Sequence, residues 1–370
     1  MKSLAIIGVR GVPVVYSGFE TFAEELGVRL VKRGWRVLVF CRNHATPANK
    51  HIHAGVELIR LPSFNSRSLD TITHSFLSTL YVCFMKSKPD IVYYLGVGSS
   101  ICSFLPRLFG IRTVVNVDGL DWKRGKWGKF AQWFLKISEK IALKFANVTM
   151  TDSEYIKAYY KRVYRRSLPV IPYGYSLTKS RRGYLEKAGL KKDGYLIWTG
   201  RLVPDNHLDE LLMAYKLLRT RLPLVVVGDS PNEDSYKNKL HKLANKNVLF
   251  LGFVGRDEYA TLVGNSYAYI ETKRSGGTHP SLVESMGHGC LILVNNHVSH
   301  RDVLGDTAVF YKSGNITDMR KKLSQIMNKN FADERAEYMF ATKDRAEHKY
   351  EWEAVIDSYE DLFEGMISLR

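Results

Sequence analysis

The sequence predicts an α/β protein made of two parallel β-sheets, each covered by helices. Short apolar runs rich in β-branched residues alternate with amphipathic stretches of helical spacing. The alternation starts again after the turn-rich segment 169–176, and a length of 370 residues suits two domains. Apolar residues make up 45% of the chain, which is enough for a sizeable core in each domain.

The first half opens with an apolar run, residues 4–7, which predicts a strand. A loop containing Gly8, Gly11 and Gly18 follows, and residues 19–33 carry apolar side chains at helical spacing. This order predicts a strand, a glycine-rich loop and a helix. Further strands are predicted at residues 36–40, 91–94, 113–117 and 148–151.

The second half repeats the pattern. Strands are predicted at residues 195–199, 224–227, 248–251, 268–271 and 291–294, and helices at 208–219 and 235–244. Residues 352–366 form a last amphipathic stretch. We therefore expect an N-terminal domain over residues 1–172, a second domain over 173–345, and a C-terminal helix within 346–370 that packs back toward the first domain.

The charge of the chain is strongly basic and unevenly distributed. Its 54 Lys and Arg residues against 37 Asp and Glu residues give a net charge of +17. Residues 1–175 contribute +15 of this, and the rest of the chain contributes +2. A basic first domain and a nearly neutral second domain predict different partners for the two. Nucleic acid, anionic lipid and phosphorylated substrates are all compatible with the positive charge.

The loop at Gly276, Gly277 and Thr278 leads into a predicted helix that contains Glu284. Free backbone N–H groups at a helix N-terminus favour an anion, and glycines let a phosphate approach the backbone. The carboxylate of Glu284 can accept hydrogen bonds from the vicinal hydroxyls of a ribose. The alternative is an ordinary tight turn in which Glu284 complements the helix dipole.

Three other residues stand near predicted strand ends. Arg201 follows the strand that ends at residue 199, where its guanidinium can hold phosphate oxygens, although a surface arginine is the alternative. Asp118 follows the strand that is predicted to end at residue 117, so we expect it at the ligand-binding edge of the first domain's sheet. Gly18 can offer a backbone N–H at a helix start, but the loop does not match G-x-G-x-x-G, so support for dinucleotide binding is weak.

Cations and tryptophans interleave in the segment 116–136. Such a segment is typical of a membrane interface, where lysines meet anionic headgroups and indoles lie at the boundary. The alternative is a core helix with solvated lysines. The residues concerned are Lys123, Arg124, Lys126 and Lys129, with Trp122, Trp127 and Trp133.

Several classes of protein are disfavoured because their signature motifs are absent from the sequence. The chain contains no D-x-D pair, no G-x-S-x-G elbow, no Walker loop and no H-E-x-x-H helix. Its four cysteines are scattered in apolar contexts, which favours buried thiols over zinc or disulfides. No segment reads as a spanning helix or a signal peptide. We expect a cytoplasmic protein that needs neither a metal nor a cofactor.

At these positions the sequence resembles the GT-B glycosyltransferases of family 4, and within them a branch of rhamnosyltransferases. The matching motifs occur in the expected order over nearly the whole chain. They are IGVRGVP at 7–13, SGFET at 17–21, VDGLDWKR at 117–124, KW at 126–127, DS at 152–153, GRLVP at 200–204 and GGTHPSLVE at 276–284.

The resemblance implies two Rossmann-like domains with parallel sheets that face an interdomain cleft. It also implies a nucleotide-sugar donor, such as a dTDP-, UDP- or GDP-sugar, held mainly by the second domain. By that similarity Glu284 binds the ribose, Arg201 the diphosphate and residues 276–278 the phosphates or the sugar. Gly18 contacts the donor from the first domain, and Asp118 contacts the transferred sugar or the acceptor hydroxyl.

Two departures from the wider family affect the donor site. Family 4 commonly has two glutamates separated by seven residues, and Gly276 stands at the first of these positions. It also commonly has a lysine five residues after the arginine; Asn206 stands there and is expected to contact the donor in its place. The missing positive charge must come from Arg201, the helix N-terminus, or one of Lys273, Arg274 and Arg10.

The resemblance implies transfer of rhamnose or another hexose to a glycan or lipid-linked acceptor in surface polysaccharide synthesis. The expected reaction retains the anomeric configuration and needs no metal. The protein is then expected to lie on the inner face of the cell membrane, through the basic segment that includes Lys123, Lys129 and Trp127, and to bind no nucleic acid. A nucleotide-sugar epimerase of the same fold and a basic nucleic-acid-binding protein are the two alternatives.

Overall fold

A computed structural model describes residues 1–13, 18–64, 66, 69–123, 127–178, 180–230, 233–274 and 276–368. Contacts within the chain divide it into two compact units. Unit 1 comprises Met1–Tyr173 and Glu353–Arg370, and unit 2 comprises Gly174–Trp352. The chain thus passes from unit 1 into unit 2 and returns to unit 1 at its C-terminal helix.

The part of unit 1 before residue 174 alternates strands with helices. Its elements are β1 (Ser3–Ile7), α1 (Gly18–Lys32), β2 (Arg36–Arg42), β3 (Ile52–His53), β4 (Val56–Leu61), α2 (Asp70–Phe84), β5 (Ile91–Leu95), α3 (Leu105–Leu108), β6 (Arg112–Asn116), α4 (Lys129–Phe145), β7 (Val148–Met150) and α5 (Glu154–Tyr164).

Unit 2 has the same alternation, and the last helix of the chain follows it. The elements are α6 (Tyr184–Lys187), β8 (Leu196–Thr199), α7 (Leu208–Lys216), β9 (Leu224–Val227), α8 (Asp234–Leu243), β10 (Val248–Gly252), α9 (Arg256–Gly264), β11 (Ala268–Glu271), α10 (Pro280–Gly287), β12 (Ile292–Asn295), α11 (Val298–Leu304), β13 (Val309–Tyr311), α12 (Ile316–Ile326), α13 (Ala332–Lys349) and α14 (Trp352–Ser368).

Each unit contains one sheet. The first has the strand order β3-β4-β2-β1-β5-β6-β7 and the second has β10-β9-β8-β11-β12-β13. All pairs are parallel except β3 with β4, which form a short antiparallel hairpin. The predicted α/β class with two parallel sheets is confirmed. The strands β3, β4 and β13 were absent from the prediction.

Helices cover both faces of the first sheet. On one face, side chains such as Tyr94 and Val115 share a buried cluster with Val82 of α2, Leu135 of α4 and Tyr160 of α5. On the other face Phe22 of α1 packs against the strand residue Tyr93 with a ring-centroid distance of 6.2 Å. Among the described residues, no helix has the length and apolar composition that a bilayer crossing requires.

The helix α14 belongs to this second face of unit 1. The ring of its Tyr359 lies 5.4 Å from that of Phe22, and its hydroxyl lies 3.2 Å from the hydroxyl of Tyr93. Ion pairs lie at the edge of the contact between α1 and α14. The guanidinium of Arg33 binds Glu353 and Glu360 at 2.9 Å each. A helix that follows unit 2 in sequence therefore completes the core of unit 1.

Candidate functional site

Two loops of unit 2 lie side by side at the carboxyl edge of its sheet. Strands β8 and β11 are neighbours and pair in parallel, so the segments after Thr199 and Glu271 leave the sheet together. The indole N–H of Trp198 donates to Oγ1 of Thr272 at 2.8 Å, and this hydroxyl donates to the carbonyl of Asn206. The carboxyl edge of a parallel sheet is where ligands of α/β proteins bind.

Glycines allow the strand ends to approach closely here. Gly228, at the end of β9, has φ of +117°, and a Cβ atom built on it would lie 2.1 Å from the carbonyl oxygen of Gly200. Gly200 itself has φ of +156°. A side chain at position 228 would push the backbone of Gly200 and so displace Arg201, whose side chain is exposed at this edge.

Asn206 stabilises the loop that contains Arg201. Its side-chain Nδ2 donates to the carbonyl of Arg201 at 2.7 Å, and the residue is buried. The contact that the structure shows for Asn206 is therefore with the protein backbone. Its predicted contact with the donor stays a prediction.

A buried ion pair lies between these loops. The carboxylate of Glu271 has no exposed surface, and its Oε2 lies 2.9 Å from Nζ of Lys273. Its Oε1 accepts from the backbone N–H of Lys273 at 3.0 Å. Burial alone would raise the pKa of Glu271, but the charges of Lys273, His279 and His300 outweigh it and lower the pKa to about 2. Glu271 is therefore ionised at neutral pH.

Lys273 connects the two loops at the sheet edge. Its Nζ lies 3.4 Å from the carbonyl oxygen of Thr199 and 3.4 Å from Oγ of Ser281 in α10. The neighbouring Arg274 instead forms an ion pair with Glu210 of α7. Glu271 was missed from the sequence, although a carboxylate that ends a buried strand two residues before a lysine was a usable signal.

The loop at residues 276–278 enters α10 as predicted. Gly276 has φ of +117°, and Gly277 and Thr278 are buried. The helix begins at Pro280, and the side chain of the N-cap residue His279 makes no capping hydrogen bond. Glu284 follows one turn later and is half-buried. Burial, and after it the charge of Glu284, raises the pKa of the Tyr259 hydroxyl.

Unit 1 carries the other predicted residues at the carboxyl edge of its own sheet. Asp118 is buried with a left-handed backbone, φ of 48°. Its backbone N–H donates to Oδ1 of Asn116 at 2.8 Å, and its Oδ1 accepts from the hydroxyl of Tyr173 at 3.4 Å. A non-glycine residue in this conformation is held by its surroundings, which is common at functional sites. Gly18 is the first residue of α1.

The predicted membrane segment is only partly described. Arg124 and Lys126 lie outside the described residues. Lys123 and Lys129 are exposed, whereas Trp127 is half-buried against the core of unit 1. Trp122 is also half-buried, with Nζ of Lys136 4.3 Å from its ring centroid. Membrane contact through this segment stays a prediction.

No metal centre is evident in the described part of the chain, which contains no group of three or more His, Cys, Asp or Glu side chains able to hold an ion.

Two family models match the chain, one in each half. Residues 1–176 match a domain of unknown function, DUF1972, and residues 181–344 match the glycosyl transferases group 1 family. The uncharacterized glycosyltransferase YqgM of Bacillus subtilis is 25% identical over 198 residues. That match covers 52% of this chain and spans about half, 54%, of the length of YqgM.

Solved structures share the fold over the whole chain. The sucrose-phosphate synthase of Thermosynechococcus elongatus superimposes with a TM-score of 0.85 at 15% identity, covering 100% of both chains. Anabaena HepE in complex with UDP-glucose gives a TM-score of 0.79 at 15% identity, covering 99% of this chain and 100% of HepE. The two-unit architecture is therefore that of the GT-B glycosyltransferases.

Proposed function

We propose that the protein is a glycosyltransferase whose nucleotide-sugar donor binds in unit 2, because residues 181–344 match the glycosyl transferases group 1 family within a chain of GT-B fold. The donor diphosphate lies at the carboxyl edge of the second sheet, between the Arg201 loop and the start of α10. Three features of that edge support this position.

The convergence of positive groups carries the proposal. Lys273 Nζ is within 3.4 Å of both the Thr199 carbonyl and Ser281, so one ammonium group lies between the end of β8 and the first turn of α10. Arg201 extends from the same strand end, and the helix N-terminus adds backbone N–H groups. Together these groups suit a leaving diphosphate, whose negative charge grows in the transition state.

We propose that Lys273 takes the place of the lysine that family 4 commonly has where this chain has Asn206. Asn206 is neutral and already bonded to the Arg201 carbonyl, and Arg274 is committed to Glu210. The ion pair with Glu271 holds the ammonium group of Lys273 in one place. We assign the diphosphate to Arg201 and Lys273, and the ribose hydroxyls to Glu284.

The acceptor side of the proposal concerns unit 1. Asp118 contacts an acceptor hydroxyl at the carboxyl edge of the first sheet, and Gly18 presents a backbone N–H at the start of α1. The acceptor oxygen bonds to the anomeric carbon on the same face from which the donor's diphosphate departs, and that leaving phosphate takes the acceptor's proton. The reaction therefore retains configuration without a dedicated protein base and without a metal. The transferred sugar is rhamnose or another hexose, and the acceptor is a glycan or a lipid-linked precursor of a surface polysaccharide at the inner face of the cell membrane.

A donor screen tests the proposal. A ligand at 100 times its dissociation constant stabilises a protein by about 2.7 kcal/mol, so thermal unfolding with UDP-, dTDP- and GDP-sugars identifies the donor. We expect the Glu284→Gln variant to lose most of that shift and Arg320→Gln, on the exposed surface of α12, to keep it. No shift with any donor would refute the proposal, and an altered sugar without an acceptor-dependent product would indicate an epimerase.

A further inference from the structure

Helices α2, α3 and α4 form one continuous outer surface of unit 1, which we call the α2–α4 face. Their inner sides hold Val82 and Leu135 in the core, so their outer sides point away from the sheet. Nη1 of Arg107 in α3 donates to the carbonyl of Phe145 in α4 at 2.6 Å. The ring of Phe84 in α2 lies 5.2 Å from that of Phe109, directly after α3.

Large apolar side chains are exposed across this face. Phe130 is 77% exposed, Leu108 75%, Phe84 72% and Trp133 57%. The rings of Phe130 and Trp133 lie 5.7 Å apart. Single exposed apolar residues are normal, but a set that spans three adjacent helices marks an interaction surface.

The exposed charges of α2, α3 and α4 and of the segments that connect them have one sign. Among the residues described between Leu69 and Met150, every exposed charged side chain is Lys or Arg, and every carboxylate is buried or half-buried. A surface with many cations and no exposed acidic group in these helices attracts an extended anionic partner such as a layer of anionic lipid headgroups.

The outer side of α4 combines both properties in a single stripe. Leu135 and Ala142 face the core. The opposite side has a tryptophan among lysines, with spacings of three or four residues that keep them on one helical face. These residues are Lys129, Trp133, Lys136, Lys140 and Lys144, all exposed.

An apolar cavity of about 330 Å³ opens between α2 and the segment that follows β5. Its walls are apolar and include the exposed rings of Phe64 and Phe76, together with Ile72, Leu77 and Ile101. The cavity is open to solvent on one side, and its largely apolar wall can cover one side of a hydrocarbon chain.

We propose that the α2–α4 face is the surface by which the protein docks on an anionic lipid bilayer. The lysines of α4 contact the headgroups, Phe130 and Trp133 enter the interfacial layer, and the cavity beside α2 receives one hydrocarbon chain. Nucleic acid fits the charge but not the exposed Phe84, Leu108 and Phe130. A protein partner fits the apolar residues but does not require the lysines.

Vesicle sedimentation of the full chain tests the docking surface. We expect binding to phosphatidylcholine vesicles that contain phosphatidylglycerol, little binding to phosphatidylcholine alone, and weaker binding as salt increases. Trp133 is the most exposed of the six tryptophans, so brominated lipid should quench its fluorescence. The Trp133→Phe variant should lose most of the quenching and still sediment with the vesicles.

Paired variants separate this surface from a general effect of charge. Lys129→Gln with Lys140→Gln should weaken binding to anionic vesicles roughly 25-fold, about fivefold for each lysine. Phe130→Ser with Trp133→Ser should abolish it. Matched controls on unit 2 are Lys242→Gln with Lys321→Gln and Phe340→Ser, all at exposed positions. Equal binding to neutral vesicles, equal losses in the controls, or binding only to nucleic acid would overturn the proposal.

Discussion

Nζ of Lys273 lies 2.9 Å from Oε2 of Glu271, a carboxylate with no surface exposed to solvent. The pair lies where β11 ends and the loop to α10 begins, and the same ammonium group reaches the Thr199 carbonyl of β8. Removing one partner of a buried ion pair strongly destabilises the fold, because the other charge is then left without compensation. The pair therefore links the stability of unit 2 to the position of a positive charge at its sheet edge.

The first prediction separates the structural effect of Lys273 from its effect on turnover. Lys273→Gln removes the ammonium group that is paired with the buried Glu271 carboxylate, and we expect it to lower the free energy of unfolding by about 3–5 kcal/mol. Replacing both partners, Glu271→Gln with Lys273→Gln, should restore most of that stability. We expect turnover to stay reduced by roughly 10²–10³-fold in the double variant. Near-normal turnover there would mean that Lys273 is only structural.

The second prediction concerns acid stability. The pKa of Glu271 is lowered to about 2 in the folded chain and is about 4.3 in an unfolded one, so ionised Glu271 stabilises the fold above the unfolded value. This contribution is lost as the pH falls from above 4 toward 2. Denaturant unfolding at a series of pH values should show a weaker acid dependence for the Glu271→Gln, Lys273→Gln double variant than for the parent. Parallel curves would contradict the assignment.

The third prediction tests Arg201. Its side chain is exposed at the sheet edge, so Arg201→Ala should leave thermal unfolding nearly unchanged. Turnover should fall by about 10²–10³-fold, because one donor to the leaving diphosphate is removed. Arg320→Ala provides the comparison at another exposed position of unit 2. A rate for Arg201→Ala close to that of the parent would remove its assigned role.

The fourth prediction compares two glycines of unit 2 with positive φ. In Gly228→Ala the new Cβ would lie 2.1 Å from the Gly200 carbonyl, whereas at Gly252, with φ of +65°, no atom lies within 4 Å. We expect Gly252→Ala to cost about 1–2 kcal/mol of unfolding free energy from backbone strain alone. Gly228→Ala adds a steric clash of about 1–3 kcal/mol. Equal losses in chemical denaturation would show that the sheet edge adapts freely.

The fifth prediction tests the attachment of α14. Phe363 has no exposed surface, and its ring lies 5.9 Å from that of Tyr93. Phe363→Ala should lower the free energy of unfolding by about 3–5 kcal/mol. Phe340→Ala, at a ring that is 75% exposed on α13, should change it by less than about 0.5 kcal/mol. Denaturant titrations of both variants provide the measurement.

The fold class was predictable because the central strands are buried on both faces and therefore appear as continuous apolar runs. Leu224–Val227 and Ala268–Glu271 have the predicted bounds. In contrast, β4 alternates buried and half-buried residues and carries Glu57 and Arg60, so its pattern does not resemble that of a central strand. The strand β13 has only three residues, too few for any periodicity.

The positions of the candidate residues relative to the strands were predictable, but their contacts were not. Residues that follow strands were correctly placed at sheet edges, as for Arg201 and Asp118. The sequence could not distinguish Lys273 from Arg274, because the partner that occupies Arg274 is Glu210, 64 positions earlier. Nor could it show that Asn206 bonds a backbone carbonyl, since that contact depends on how the short turn after β8 folds back.

The return of the chain to unit 1 affects the order in which the protein is completed during synthesis. The strands of unit 1 leave the ribosome first, but Phe22 and Tyr93 are covered by α14, which is translated after the whole of unit 2. Domains generally fold as units as they are synthesised. Here unit 1, which is synthesised first, keeps an uncovered aromatic surface until α14 has been synthesised. The nascent chain therefore exposes an aggregation-prone face for most of its translation.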